Sequence, residues 1–289
     1  MEIKALACAL PKERDLPFSR LSHADIAREA VQRGVVASIS GTTVWRWLSA
    51  EAIKPWSHRS WIFPRDAQFG EKASRLLDLY QGVWEGCPLG PDEYVISADE
   101  KTSIQARRRI HPGSAPAAGR ARRVEFEYQR GGALAYMAAW DVRRAKVFGQ
   151  CESTTGIESY RRLVDLVMQQ EPYCSARRVF WVTDNGSSHR GRVSVQRLSE
   201  WYPNAIQVHT PVHASWLNQI EIYFSVVQRK VLTPNDFADL QEVKTRLLDF
   251  QARYEQYAKP FEWKFTRDDL KALLAKLAAR EDQPACPAA

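Results

Sequence analysis

Apolar positions recur at helical spacing near the start of the chain. From Ser22 to Ala50, two such runs flank Gly34, and Ser40 stands where it can cap the second run. This pattern predicts a helix-turn-helix. Three side chains of its second helix would pack inward: Val44, Trp47 and Leu48. Three others would occupy the face that enters a DNA major groove: Thr42, Thr43 and Arg46. A plain helical hairpin is the alternative, because helix pairs with a glycine turn are common.

The character of the pattern changes after a Pro- and Trp-containing arm over 54–65 and a predicted helix over 67–85. Short β-rich segments follow, namely YVISADE, VEFEYQRGG, LAYMAAWDV and KVFGQCE. The remaining pattern predicts a helix over 157–170, a strand over 178–184, a helix over 192–201, the short strand IQVHT, and helices over 239–279 with a break near Pro260. Strands that alternate with helices predict an α/β layered domain.

Composition narrows the class of protein. The chain has 289 residues, of which 45% are hydrophobic and 26% are charged, which is typical of a globular protein and excludes collagenous and wholly disordered classes. No apolar run approaches membrane-spanning length, and no signal peptide is evident, so an intracellular protein is expected. Five scattered cysteines favour free thiols over a disulfide framework or a zinc site: Cys8, Cys87, Cys151, Cys174 and Cys286.

The basic residues are unevenly distributed. The net charge is +7 and the pI about 9.2, which favours a polyanionic partner. A basic stripe lies between Glu100 and Arg130 and contains Lys101, Arg107, Arg108, Arg109, Arg120, Arg122, Arg123 and Arg130. The run Arg107–Arg109 would neutralise phosphates; a solvated turn is the alternative.

Three carboxylates lie next to apolar segments, where a negative charge is unfavourable unless a partner compensates for it. Asp99 ends the apolar segment YVISAD, Asp184 ends VFWVTD, and Glu221 borders the apolar face of a predicted helix. If they converge, each pair repels by roughly 1 kcal/mol at about 4 Å in water, and by about 4 kcal/mol at an effective dielectric constant near 20. Two Mg²⁺ or Mn²⁺ ions would remove this repulsion and could serve phosphodiester chemistry. The alternative is three unrelated residues with structural roles.

Two polar residues lie near these carboxylates in sequence. His189 follows Asp184 closely enough to touch a substrate or to support its loop, and Asn218 precedes Glu221 by three residues. Asn218 is expected to orient Glu221 or a bound water; support of the helix N-terminus is an equal alternative. The pair His209 and His213 is not expected to bind zinc, because Pro211 between them disfavours a helix.

The segments DEKTSIQ, VTDNGSSHR and HTPVHASWLNQIEIYFSVVQRKVL together resemble the bacterial insertion-sequence DDE transposases related to mariner, the IS-six-thirty family. The 36 residues between Asp184 and Glu221 fit the spacing of that family, and KPFEWKFTRDDL is similar to its C-terminal segment. The resemblance implies an RNase H-like catalytic domain, a mixed sheet flanked by helices, in which Asp99, Asp184 and Glu221 bind two Mg²⁺ or Mn²⁺ ions. It also places His189 beside the active site.

The implied activity is cleavage of the transposon ends and transfer of the freed 3′-hydroxyl to target DNA, at a TA dinucleotide. The implied partners are double-stranded terminal repeats and a second copy of the chain, in the bacterial cytoplasm at the nucleoid. Phosphate contacts are expected from the basic stripe, from Arg46 and from Lys230 near the end of the Glu221 helix.

Four regions are therefore expected: 1–66, a helix-turn-helix region with a basic arm; 67–92, a linker helix; 93–235, the catalytic domain; and 236–289, a helical segment. Family members usually carry a further helix-turn-helix, whereas here only residues 1–21 precede Ser22. A truncated, inactive DNA-binding remnant is thus an alternative expectation. Another RNase H-like nuclease is a second alternative.

Overall fold

The computed structural model describes residues 1–58, 64–186 and 189–281. The chain divides into two compact units, Met1–Ile62 and Phe63–Ala289. The predicted arm over 54–65 lies partly outside the described residues, as does the end of the predicted C-terminal region. In the described part of the chain, no helix is long and apolar enough to cross a lipid bilayer.

The first unit is helical. Its helices are α1 (Glu2–Cys8), a 3₁₀ turn (Pro11–Arg14), α2 (His23–Gln32) and α3 (Gly41–Ala50). Ser22 caps α2 and Ser40 caps α3, each accepting a hydrogen bond from the backbone N–H three residues later. Gly34 turns the chain after α2 in the left-handed region, at φ +72°. The predicted helix pair is therefore present.

One of the three residues that were predicted to pack inward on the second helix is exposed instead. Val44 and Leu48 are fully buried, whereas Trp47 is 45% exposed. At 100° per residue, Val44 and Leu48 lie on one face of α3, and Trp47 is turned by about 80° from the line midway between them. Trp47 therefore joins Thr42 and Arg46 among the exposed residues of α3.

The second unit begins with α4 (Phe69–Tyr80), followed by the two-residue strands β1 (Val83–Trp84) and β2 (Cys87–Pro88), which pair as a small hairpin. The helix predicted over 67–85 is therefore too long. The chain leaves the helix at Gly82, whose φ of +79° is one that glycine adopts without strain.

The elements that follow form a layered α/β unit. In chain order they are β3 (Glu93–Arg108), β4 (Gln129–Asp141), β5 (Lys146–Glu152), α5 (Ile157–Met168), β6 (Arg178–Thr183), α6 (Gly191–Trp201), β7 (Ala205–His209), a 3₁₀ turn (Ser215–Leu217), α7 (Ile220–Lys230), α8 (Leu240–Glu255) and α9 (Arg267–Glu281).

These strands form one mixed sheet in the order β5-β4-β3-β6-β7. The pairs β5/β4 and β4/β3 are antiparallel, and β3/β6 and β6/β7 are parallel. Helices α5 and α6 bury one face of the sheet, and α4, α7 and α8 bury the other. The sheet thus has a core on each side, as expected for an α/β layered domain.

Two strands are longer than the sequence predicts. β3 continues for nine residues past Asp99, and β4 runs unbroken through Gly131 and Gly132, where the sequence pattern ends one β-rich segment before the next begins. A Cβ atom on Gly131 would lie 3.2 Å from the Cβ atom of Ala106 on β3. The glycine therefore permits close approach of the two strands rather than a turn.

Candidate active site

Strand register brings two of the predicted carboxylates together. β3 and β6 run parallel, with Glu93 opposite Arg178 and Ser97 opposite Val182. Two residues further along this register, Asp99 is level with Asp184. β6 ends at Thr183, so the two carboxylates lie where the parallel pairing stops. Such carboxyl ends of parallel strands commonly hold ligand sites.

Asp99 lies within β3 rather than at its end, which corrects the sequence-based expectation. Opposite it on β4 is Ala138, and the side chain of Asp99 is 9% exposed. Burial, followed by the nearby charge of Asp184, raises the pKa of Asp99 to about 8. A backbone hydrogen bond from Glu100 N at 2.7 Å opposes this rise without cancelling it.

Asp184 is held by its own loop. Its Oδ1 atom accepts a hydrogen bond from Gly186 N at 2.7 Å and lies 2.9 Å from His189 Nε2. The contact with His189 is the main reason that the pKa of Asp184 lies below its usual value. His189 is fully buried and its ring contacts Tyr160 edge-on. His189 therefore lies beside the site, with Asp184 as a direct partner.

Glu221 lies in the first turn of α7 and is half-buried. Burial raises the pKa of this carboxyl group, the charge of Lys101 lowers it in part, and the charge of Asp184 raises it. The α7 face predicted from the sequence is buried, including Ile220 and Phe224. Glu221 therefore borders the core on the side that approaches Asp99.

Asn218 ties α7 to β3 immediately before Asp99. Its Nδ2 atom donates to Ala98 O at 3.0 Å, and its Oδ1 atom accepts from the hydroxyl of Ser97. The same hydroxyl accepts a hydrogen bond from Ile220 N at 2.8 Å. Asn218 thus supports the N-terminus of α7, as one of the two sequence-based interpretations held. Because Asn218 holds the start of α7 in place, it also fixes the position of Glu221 in the first turn of that helix.

Glu100 is the site residue that sequence reasoning missed. Its Oε2 atom is buried, has no hydrogen-bond partner among the described residues, and lies 3.7 Å from His189 Nε2. One ligand atom each of Asp99, Glu100 and His189 lie within 4.8 Å of one another. Glu100 directly follows Asp99 in the sequence. Because consecutive side chains of a strand point to opposite faces, the sequence alone offered no reason to place both at one site. His189 reaches both because β6 has already ended.

The donor set fits a divalent metal ion. The charge of Asp184 helps to raise the pKa values of Asp99, Glu100 and Glu221, and burial is the largest cause of the rise in all three. Oxygen ligands of this kind suit Mg²⁺ or Mn²⁺ better than zinc. A cation would relieve the repulsion among the carboxylates and give the buried oxygen of Glu100 a partner.

The arginines at the end of β3 have different roles. Arg109 donates hydrogen bonds to the backbone oxygens of Phe126, Glu127 and Asn235, so its guanidinium fastens the β3–β4 connection. Arg107 and Arg109 both lie over the ring of Tyr128. The other candidate phosphate contacts are exposed or half-buried: Arg107, Arg108, Arg122, Arg123 and Lys230.

A cavity of about 350 Å³ lies beside this run. Its lining includes Lys101, Arg107 and Arg109 from β3 and the following residue, and Gln228 from the last part of α7. The cavity therefore presents three positive charges, one of which, Lys101, also acts on Glu221. In the first unit, Thr42 and Arg46 are exposed and Thr43 is half-buried, hydrogen-bonded to Ser40.

The fold matches solved structures of a mariner transposase. The Mos1 mariner paired-end complex with Mg is 17% identical, covers 96% of this chain and 77% of its own, and gives a TM-score of 0.57. The paired-end complex with Mn is 17% identical, the match covers 96% of this chain and 75% of the Mos1 chain, and the TM-score is 0.54. The Mos1 strand transfer complex is 18% identical, the match covers 98% of this chain and 78% of the Mos1 chain, and the TM-score is 0.54. A search of curated protein sequences finds no match.

These likenesses establish a fold with the mixed sheet and flanking helices of the RNase H-like catalytic domain. The sequence itself also matches a family model, that of the DDE superfamily endonucleases, over residues 94–244. The matched span contains Asp99, Asp184 and Glu221 and accounts for more than half of the chain. The chain therefore belongs to the DDE superfamily of endonucleases.

Proposed function

We propose that this protein is a DNA transposase of a bacterial insertion sequence of the IS-six-thirty family. The observation that carries the proposal is the approach of Asp99 and Asp184 at the end of the β3/β6 pairing, with Glu221 of α7 beside them. Similarity to transposase complexes with transposon ends supports DNA as the substrate.

In this proposal, Asp99, Asp184 and Glu221 hold two Mg²⁺ or Mn²⁺ ions, with Glu100 available as a further oxygen ligand. The ions supply Lewis acidity to an in-line displacement at phosphorus. His189 fixes the Oδ1 atom of Asp184, which leaves the other carboxylate oxygen for a ligand.

The chemistry consists of two displacements. In cleavage, water attacks phosphorus, the P–O3′ bond breaks, and the 3′ oxygen leaves as a hydroxyl group. In strand transfer, that 3′-hydroxyl attacks a phosphodiester of target DNA at a TA dinucleotide, and the target 3′ oxygen leaves. Because water and then the 3′-hydroxyl are the nucleophiles, no covalent intermediate with the enzyme is needed.

DNA contacts are proposed from both units. Thr42, Thr43 and Arg46 of α3 would face a major groove of the terminal repeat. Phosphates would lie against the basic residues Arg107, Arg108, Arg122, Arg123 and Lys230, and Arg109 would add its charge while holding the β3–β4 connection. Two copies of the chain would bring two transposon ends together, at the bacterial nucleoid.

The test is nicking of a supercoiled plasmid with Mg²⁺ or Mn²⁺, together with gel-shift binding of the same DNA. Asp99→Asn, Asp184→Asn and Glu221→Gln are expected to abolish nicking and to retain binding. Glu158→Gln, which changes an exposed carboxylate of α5 in the same way, is the control and is expected to nick normally.

A folded wild-type chain that binds DNA and nicks with neither ion would contradict the proposal and indicate an inactive remnant. Cleavage confined to junctions or RNA–DNA hybrids would indicate another RNase H-like nuclease instead. Loss of binding in parallel with nicking would contradict the assignment of the three carboxylates to catalysis alone.

A further inference from the structure

A cavity of about 460 Å³ opens beside Asp184, between two loops at the carboxyl end of the sheet. One wall is the loop after β6, including Asn185 and Arg190. The other is the loop after β7, over residues 210–215. Asp184 lines both this cavity and the carboxylate site. A ligand in the cavity therefore lies next to a residue of the proposed reaction centre.

The walls of the cavity are held in place. Asn185 Nδ2 donates to Thr210 O at 2.8 Å and joins the two loops. Val212 N donates to Asp66 Oδ2 at 3.0 Å, and Asp66 is paired with Lys72 at 2.9 Å. These contacts fasten the second loop from both sides. These contacts fix the positions of both walls, which reduces the ordering cost of binding.

Besides the carboxylate of Asp184, the lining combines one buried polar group with apolar and cationic surface. Thr210 is 1% exposed, and its Oγ1 atom has no hydrogen-bond partner among the described residues. A buried hydroxyl without a partner is unfavourable, so a ligand that hydrogen-bonds to it is stabilised. Val212, which is 37% exposed, provides most of the apolar surface, with the largely buried Pro211 and Ala214 behind it, and Arg190 provides a positive charge.

We propose that this cavity binds one nucleotide of the DNA strand that reacts at the adjacent carboxylates. The base packs on Pro211 and Val212, the Thr210 hydroxyl bonds to a polar edge of the base, and Arg190 contacts the phosphate. Amphipathic ligands with one anionic group fit this lining, and a nucleotide has these features. This inference rests on the proposed function, because the DNA strand brings the nucleotide to Asp184.

The first experiment locates the base. The full chain is mixed, in Ca²⁺ buffer, with a fluorescein-labelled single strand of five thymidines whose central base is 4-thiothymine, and is irradiated. Mass spectrometry is expected to find the cross-link within residues 210–215. Val212→Trp fills the cavity from an exposed position and is expected to remove this cross-link. A cross-link confined to other segments would overturn the proposal.

The second experiment measures affinity by fluorescence anisotropy. The wild type is expected to bind the pentathymidylate about tenfold more tightly than a strand with an abasic central residue, as one stacked base gives. Val212→Trp and Thr210→Val are expected to reduce this preference. Arg190→Gln is expected to weaken both strands, whereas Arg192→Gln, an exposed arginine outside the cavity, is expected to change neither.

The outcomes separate this inference from the proposed function. Base preference in a chain that nicks no plasmid would support the cavity and contradict the transposase. Nicking by a chain that binds both strands equally, or equal weakening by Arg190→Gln and Arg192→Gln, would overturn the cavity proposal alone. Free thymidine monophosphate that binds as tightly as the pentathymidylate would also overturn it, because the site would then take a free nucleotide. Urea unfolding confirms that each variant is folded.

Discussion

Replacing Asp99 by asparagine is expected to stabilise the metal-free protein at neutral pH, although it removes a proposed metal ligand. The carboxyl group of Asp99 is buried beside Asp184, and its pKa is raised to about 8. In the unfolded chain the same group has a pKa of about 3.9. The folded state therefore binds the Asp99 proton more tightly than the unfolded state does.

The sign and size of the effect follow from this difference. Below about pH 4 the Asp99 carboxyl group is protonated in both the folded and the unfolded state, so it does not lower the free energy of unfolding. As pH rises from about 4 to about 8, the wild type loses up to about 1.4 kcal/mol of stability per pH unit. At pH 7 the loss attributable to Asp99 reaches a ceiling of about 4 kcal/mol. Asparagine does not titrate, so the variant escapes this loss.

The assay is urea unfolding in EDTA between pH 4.5 and 8, with wild type, Asp99→Asn and the control Glu158→Gln. The stability advantage of Asp99→Asn is expected to grow with pH, whereas the difference between Glu158→Gln and wild type stays flat. Added Mg²⁺ is expected to stabilise the wild type more than Asp99→Asn, since the ion binds the deprotonated carboxylate. An advantage of Asp99→Asn that is constant across this pH range would refute the reasoning.

Two further substitutions test the framework of the site. Asn218→Ala removes the hydrogen bonds to Ala98 O and from the Ser97 hydroxyl, so it is expected to cost about 2–4 kcal/mol in urea unfolding and to slow plasmid nicking. A cost below about 0.5 kcal/mol would contradict the tie between α7 and β3. Gly149→Ala would drive a Cβ atom into the hydroxyl of the fully buried Tyr136, so thermal unfolding is expected to show a loss of about 2 kcal/mol. An unchanged melting temperature would show that this contact relaxes freely.

The elements predicted best are those whose periodicity is complete in the local sequence. β5 has the predicted bounds, and α5, β6 and α6 lie within two residues of theirs, because their apolar positions and breakers are local. The end of α4 was misplaced, because the β1–β2 hairpin depends on Gly82 rather than on apolar spacing. The length of β3 was missed because its polar second half pairs with β4, a partner more than twenty residues away.

The candidate site shows the same division. Asp99 and Asp184 could be identified because each ends an apolar strand segment, and Glu221 because it borders the apolar face of a helix; the resemblance to a known family then joined the three. Glu100 and the cavity residue Thr210 gave no comparable signal in the sequence. Their importance comes from burial without a hydrogen-bond partner, a tertiary property that neither spacing nor residue type reveals.

The way the sheet is built accounts for the chemistry of the site. β6 stops at Thr183 while β3 continues to Arg108, so the middle of β3 loses its parallel neighbour at the level of Asp99. Side chains from both faces of β3 then reach the same gap, which is how Asp99 and Glu100 approach His189 together. The carboxylates are held there by the core rather than by mutual attraction. The metal-free fold therefore carries an electrostatic cost that a divalent cation can relieve, and the Asp99→Asn measurement reports its size.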